Sequence, residues 1–113
     1  MLERAERFFK VFADSNRLRI LSLLQERKMC VCELAHILGV TQPSISRHLK
    51  QMKKAGVVAD DRDGFWTNYF LVKGNRETQG ILRCMKHLLR EDPVIQADRT
   101  KSQTVDRRRL CCP

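Results

Sequence analysis

Most of the reactive chemistry in this chain lies in its five cysteines, and they are not evenly scattered. Cys30 and Cys32 sit at i, i+2 in "RKMCVCELAHILGV", Cys111 and Cys112 are adjacent in "LCCP", and Cys84 stands alone. Two close pairs suggest thiolate chemistry, because thiolates are soft ligands that select soft acceptors. On a regular helix successive residues turn by about 100°, so Cys30 and Cys32 at the front of a helix point about 200° apart. Two thiolates sharing one ion must lie within about 4 Å of each other, given metal–sulfur bonds of about 2.3 Å. The pair therefore cannot share an ion while the helix stays regular, and binding has to unwind or tilt its first turn. Blander readings exist for each cysteine. Cys30 on a buried helix side can be a small hydrophobe, Cys84 can be helix packing, and Cys32 with His36 makes at most an exposed half-site. Five cysteines cannot all pair within one chain, and a reducing compartment disfavours a disulfide framework. No C-x-x-C motif, helix N-terminus or nearby base activates Cys111 and Cys112, so the chain does not read as a thiol enzyme.

A second set of residues suits nucleic acid. Lys and Arg number 22 against 13 Asp and Glu, a net charge of +9 that favours a polyanionic partner. Between Thr41 and Gly56 the apolar residues Ile45, Leu49 and Met52 form an i, i+4, i+7 stripe. If that stripe faces a core, Arg47, Lys50, Gln51 and Lys54 point away from it, with Ser44 and Ser46 on the flanks. Arg and Gln can read base edges bidentately, while Ser and Lys hold phosphates.

The elements that must position these groups follow from periodicity and punctuation. Leu2, Ala5, Phe8, Phe9 and Phe12 predict a first helix with an aromatic face. Asp14, Ser15 and Asn16 offer N-caps for a second, with Leu18, Leu21 and Leu24 as its stripe. "VCELAHILG" reads as a short third helix burying Leu34, Ala35 and Leu38 and stopping at Gly39. Thr41 caps the fourth, and Gly39-Val40-Thr41 is the short turn of a helix-turn-helix. "VVADDR" and "FWTNYFLV" then flank Asp63-Gly64, which is expected to supply the positive φ angles of a tight hairpin, a wing carrying Arg62. A fifth helix is expected at about 75–90, ended by Pro93, and from Glu91 the chain lacks periodicity. The fold class is thus mainly α with a small β-hairpin. Its division is a winged helix-turn-helix domain over residues 1–90 and a flexible tail over 91–113, in which Arg107, Arg108 and Arg109 read as a solvated charge run. No apolar run approaches the roughly 20 residues of a membrane span, and "MLERAERFFK" lacks the apolar stretch of a signal peptide, so a cytoplasmic location is expected.

"DSNRLRILSLL", "MCVCELAHILGVTQPSISRHLKQMKKAGVV" and "DGFWTNYFLV" resemble the ArsR/SmtB family of winged-helix repressors. The likeness spans about residues 4–90 and is most specific in the C-V-C-[ED]-L stretch and in Q-P-S-I-S-R-H-L. It implies a homodimer built on the first and last (75–90) helices, bound to palindromic double-stranded operator DNA and released by a metal or metalloid. By matching position, Gln42, Ser44, Ser46, Arg47 and His48 would read DNA, although His48 lies beside the buried stripe.

The resemblance also frames the choice of inducer. Arsenical-sensing members carry C-V-C-x-L-C, but here the third position is Ala35. Cadmium- and lead-sensing members add cysteines from an N-terminal extension, and no cysteine precedes Cys30. The spare thiols are Cys111 and Cys112, on a tail long enough to reach the third helix. Arsenite or antimonite needs three sulfurs, which Cys30, Cys32 and one terminal cysteine would provide; cadmium or lead could take all four. Zinc is disfavoured, because in place of the zinc-sensing members' Asp and His ligands the fifth helix offers only Cys84 and His87. No organic cofactor is implied. A thiol redox sensor, forming a disulfide or persulfide, is the alternative with the same fold.

Overall fold

The computed structural model describes residues 1–110; the expected ligands Cys111 and Cys112 lie outside the described residues. Helix α1 (Leu2–Phe12) matches the expected span, with Phe12 buried and Phe8 packed edge-on against it at 5.2 Å. Helix α2 (Ser15–Leu24) starts where the Asp14 carboxylate accepts from Arg17 N–H at 3.1 Å, one of the backbone donors a helix start leaves without a partner. Its inner residues Ile20 and Leu21 are wholly buried.

The next element departs from expectation. Met29–Cys30 form a short strand, β1, and helix α3 (Val31–Leu38) begins only after it. Cys30 is the N-cap of α3 in an extended conformation, φ −91° and ψ 170°, not a residue of its first turn. The expected 200° separation of Cys30 and Cys32 therefore does not hold, because it presumed helical geometry at both positions. Helix α3 ends at Gly39, whose φ of 72° lies in the left-handed region, where an L side chain costs about 1–2 kcal/mol. The N–H groups of Gly39 and Val40 both reach the Ala35 carbonyl there, at 2.9 and 3.2 Å.

Helix α4 (Gln42–Lys54) is capped by the Thr41 hydroxyl and buries Ile45, Leu49 and Met52 completely, as their spacing predicts. Strands β2 (Val58–Asp63) and β3 (Trp66–Leu71) form the wing, and β1 adds to β3 on its other side, giving the order β1-β3-β2, antiparallel throughout. The two-residue turn is Gly64-Phe65, and only Gly64 has positive φ, at 62°. Asp63 stays in the strand, paired with Trp66, so the turn lies one residue later than the Asp-Gly signal suggests. Glycine at the first central position with a negative φ after it is the II′ arrangement, whose twist suits a hairpin. Helix α5 (Arg76–Leu88) follows, capped by Asn75 and packed inward through Leu82 and Met85.

Beyond Glu91 the expected flexible tail is instead helical: α6 (Pro93–Ser102) and α7 (Arg107–Leu110). Asp92 caps α6 through Val94 and Ile95 N–H, and Pro93 opens the helix instead of merely closing α5. The buried positions of α6 are Ile95, Asp98 and Ser102, a helical stripe with a single apolar member. Hydrophobic periodicity could not reveal it. Asp98 is buried because Arg19 of α2 grips both its oxygens at 2.8 Å, a bidentate pair.

Candidate functional site

Two groups of residues carry the expected chemistry, and the fold sets them on neighbouring elements. The first is the outer face of α4. With Ile45, Leu49 and Met52 turned inward, Gln42, Ser46, Arg47 and Lys50 are exposed and Ser44 is half-buried. These groups share one side of a helix whose partner α3 braces it across the Gly39 turn. His48 is half-buried and accepts from Arg17 Nε at Nδ1, 3.2 Å away, while Arg17 Nη1 donates to the Lys10 carbonyl. His48 thus ties α4 to α2 and α1, and the bond at Nδ1 leaves Nε2 to carry the ring proton. No local spacing or motif singles out Arg17.

The wing stands beside α4 with Arg62 exposed near its turn. Its carboxylates are each met by a cation from another element: Asp60 by Lys53 at 3.0 Å, Asp61 by Lys28 at 2.7 Å, and Asp63 by Arg107. The hydrogen bond to Asp60 also holds the Lys53 proton more firmly than usual. Arg107, expected to be solvated, is half-buried and engaged with the wing.

The second group surrounds Cys30. This residue is buried, and it lies opposite Asn68 in the β1–β3 pairing. Its N–H donates to Glu33 Oε1 at 3.1 Å, and the Glu33 N–H returns a bond to the Cys30 sulfur, a reciprocal capping box with cysteine in the serine position. Glu33 Oε2 accepts from Arg27 Nη1 at 2.9 Å, and Arg27 Nη2 reaches the Ser102 carbonyl at the end of α6. Burial pushes the Cys30 thiol up, the Glu33 carboxylate adds to that, and the N–H groups of Glu33 and Cys32 pull the other way. The C-x-x-E spacing was the available clue to Glu33; Arg27 carried none.

Cys32 is half-buried in the first turn of α3, and His36 is exposed one turn on. Lys101 of α6 donates to the His36 carbonyl at 2.9 Å, placing a cation at the C-terminal end of α3. Cys84, expected in helix packing, is exposed on the outer face of α5. Among the described residues no group of three His, Cys, Asp or Glu side chains is placed to hold a metal ion. Cys30 is a free, buried thiol, whereas Cys32 is disulfide-bonded in this structure, against the expectation of reduced cysteines. The pair supplies two soft donors only once that bond is reduced, and trivalent arsenic needs three.

Residues 14–60 match the family described as "Bacterial regulatory protein, arsR family". The chain is 46% identical over 71 residues to the HTH-type transcriptional regulator MJ1325 of Methanocaldococcus jannaschii, covering 62% of this chain and 80% of that one. The chain belongs to the ArsR family. It is 39% identical over 83 residues to the arsenical resistance operon repressor of Bacillus subtilis, covering 73% of this chain and 77% of the repressor. It is also 42% identical over 65 residues to the cadmium resistance regulator CadC of Listeria innocua, where it covers 57% of itself but only 55% of CadC. Among solved structures, HlyU of Vibrio cholerae superposes with a TM-score of 0.70 at 25% identity, over 79% of this chain and 95% of HlyU. The homodimeric winged helix-turn-helix domain of Mycobacterium bovis Mb0332 superposes at 0.67 with 24% identity, over 81% and 83%. This ArsR-family chain is a winged-helix transcriptional regulator, and its relatives are DNA-binding proteins, not enzymes.

Proposed function

We propose that this regulator is a homodimeric repressor that binds palindromic operator DNA through α4 and the wing, and that trivalent arsenic or antimony releases it at a thiolate site built on Cys30 and Cys32. It would act in the cytoplasm, where the operator is. The carrying observation is that Cys30 is at once the cap of α3, the helix bracing α4, and the cross-strand neighbour of Asn68 in the wing sheet. An ion that gathers the Cys30 sulfur towards Cys32 and a third thiolate would draw it from its place over the Glu33 N–H and loosen the cap. Replacing a good N-cap costs about 1 kcal/mol, enough to bias a balanced pair of states. Glu33, buried and still paired with Arg27, would then lose one of its partners. Operator DNA, by favouring the capped form, must weaken ion binding by the same factor that the ion weakens DNA binding. The third sulfur is assigned to Cys111 or Cys112, the other serving as a spare or as a fourth ligand for a larger ion.

An operator gel shift titrated with arsenite, antimonite, cadmium, lead, zinc and peroxide, on the reduced protein, tests the proposal. Arsenite and antimonite should release the wild type, while variants with Cys30→Ser or Cys32→Ser should bind DNA normally and fail to release. Cys111→Ser with Cys112→Ser should weaken arsenite binding at least roughly tenfold, about 1.4 kcal/mol. Release by cadmium or lead alone would replace the inducer, a reading supported by the likeness to CadC. Equal release by peroxide without any ion would favour redox sensing.

A further inference from the structure

The chain returns from α7 to the wing across 44 positions of sequence to place one guanidinium on it. Arg107 Nη1 donates to Asn68 Oδ1 at 2.7 Å, Nη2 donates to Asp63, and the guanidinium carbon sits 4.3 Å from the centre of the Trp66 ring. Asp63 and Trp66 are the paired residues that flank the turn, one on each strand, and Asn68 is the buried residue of β3. One side chain therefore grips both strands of the wing. Among the described residues no acceptor reaches the buried Trp66 Nε1, and the Arg107 guanidinium stacks on that ring.

A two-stranded ribbon is marginally stable alone, and β1 pairs only with the middle of β3, at Asn68 and Tyr69, leaving the turn end two-stranded. The turn end has Arg107. Exposed ion pairs contribute little to folding stability, typically about 0–1 kcal/mol, so the value of this contact lies elsewhere. An unpaired Asp63 beside phosphates would repel them, and a swinging hairpin would lose the pose in which Arg62 can reach the backbone.

We infer that Arg107 is a positioning residue for operator binding: from α7 it fixes the wing's turn in the orientation that DNA requires. This rests on the operator-binding reading but not on the thiol site. A solvated arginine run would make no such set of contacts, and a direct phosphate contact would not need Asn68, which is buried and uncharged.

That difference is the test, made with the full-length reduced protein and a fluorescent operator duplex in anisotropy titrations over a range of salt. Arg107→Ala should weaken binding at least roughly fivefold. Arg107→Lys, which keeps the charge but not the fork, should recover only part of it. Asn68→Ala, which changes no charge, should weaken binding in the same direction, and the double variant should be no worse than the weaker-binding single one, as expected for two residues serving one contact. Trp66 is the only tryptophan, so its emission should shift in the Arg107 variants before any DNA is added. Unchanged affinity in Arg107→Ala overturns the inference. So does an Asn68→Ala protein of native affinity beside an Arg107→Ala protein whose salt slope falls by about 0.9, because Arg107 then touches a phosphate itself. Should Arg107→Ala fail to fold, Arg107→Lys carries the comparison: lowered affinity with a native melt supports the inference, and native affinity refutes it. Arg47→Ala is the control, since loss of binding there with none at Arg107 leaves the operator reading standing.

Discussion

Arg47 and Lys50 share the exposed face of α4, yet their chemistry assigns them different tasks. A guanidinium can pair with two acceptors on a base edge, whereas an ammonium acts as a point charge on phosphate. Arg47→Ala should therefore cost about 1–3 kcal/mol and relax base preference, while Lys50→Ala should weaken all sequences alike and lower the salt slope by about 1. Gel shifts against operator and scrambled duplexes separate the two. This face was legible in the sequence because Ile45, Leu49 and Met52 leave α4 only one way to turn. The thiol end was legible in residue type but not in geometry. Cys30 was expected inside a helix, and nothing in hydropathy marks a two-residue strand. Its environment yields a further prediction. Burial keeps the Cys30 thiol protonated beyond its ordinary range, so a divalent cation must displace that proton to bind. Cadmium affinity should rise with pH, about tenfold per unit for each proton released between about pH 6 and about pH 8. Arsenite binds as a neutral hydroxide; each As–S bond forms as a thiol proton leaves with a hydroxyl group as water, so no net proton is released. Its affinity should stay nearly flat over that range. Isothermal titration in buffers of different ionisation enthalpy counts the protons directly.

At the scale of elements, α6 is where sequence reading and structure part. The inward stripe of α6 is one isoleucine, one aspartate and one serine, so its folding is decided by a long-range pair, Arg19 with Asp98, that no local pattern encodes. Asp92 and Pro93 carry the helix start, but a proline following an apolar stripe reads equally as the end of α5. A bidentate pair is costly to break from one side, but the Arg19 side chain is 23% exposed, so water screens part of the loss. Asp98→Ala should lower stability by about 1–3 kcal/mol in urea denaturation, whereas Arg19→Met combined with Asp98→Leu should recover most of the loss. A double variant as weak as the single would mean that the charges, and not the space they fill, hold α6 to α2. The α6 contacts at Arg27 and Lys101 meet opposite ends of α3, so loosening α6 should also speed hydrogen exchange in α3.

The whole molecule exposes apolar surface where one chain alone has no use for it. Leu2 is 84% exposed, Phe9 58% and Leu88 72%, and all three lie on α1 or α5, the helices flanking the DNA-reading core. A palindromic operator requires two reading helices related by a two-fold axis, and a two-fold interface must bury the same patch on both subunits. Stable interfaces bury about 1,200–2,000 Å² in total, which calls for apolar anchors of this size near the centre. Leu88 makes a clean test because it is so exposed within one chain: its replacement cannot disturb the monomer core. Leu88→Glu would put two like charges across the axis, each desolvated if the helices meet. The expected result is a monomer in sedimentation equilibrium at micromolar concentration, with an unchanged far-UV spectrum. Operator affinity should fall far more than for any single α4 substitution, since losing the partner removes a whole half-site. A Leu88→Glu protein that remains dimeric and binds the operator normally would place the two-fold contact on another face and detach α5 from DNA recognition.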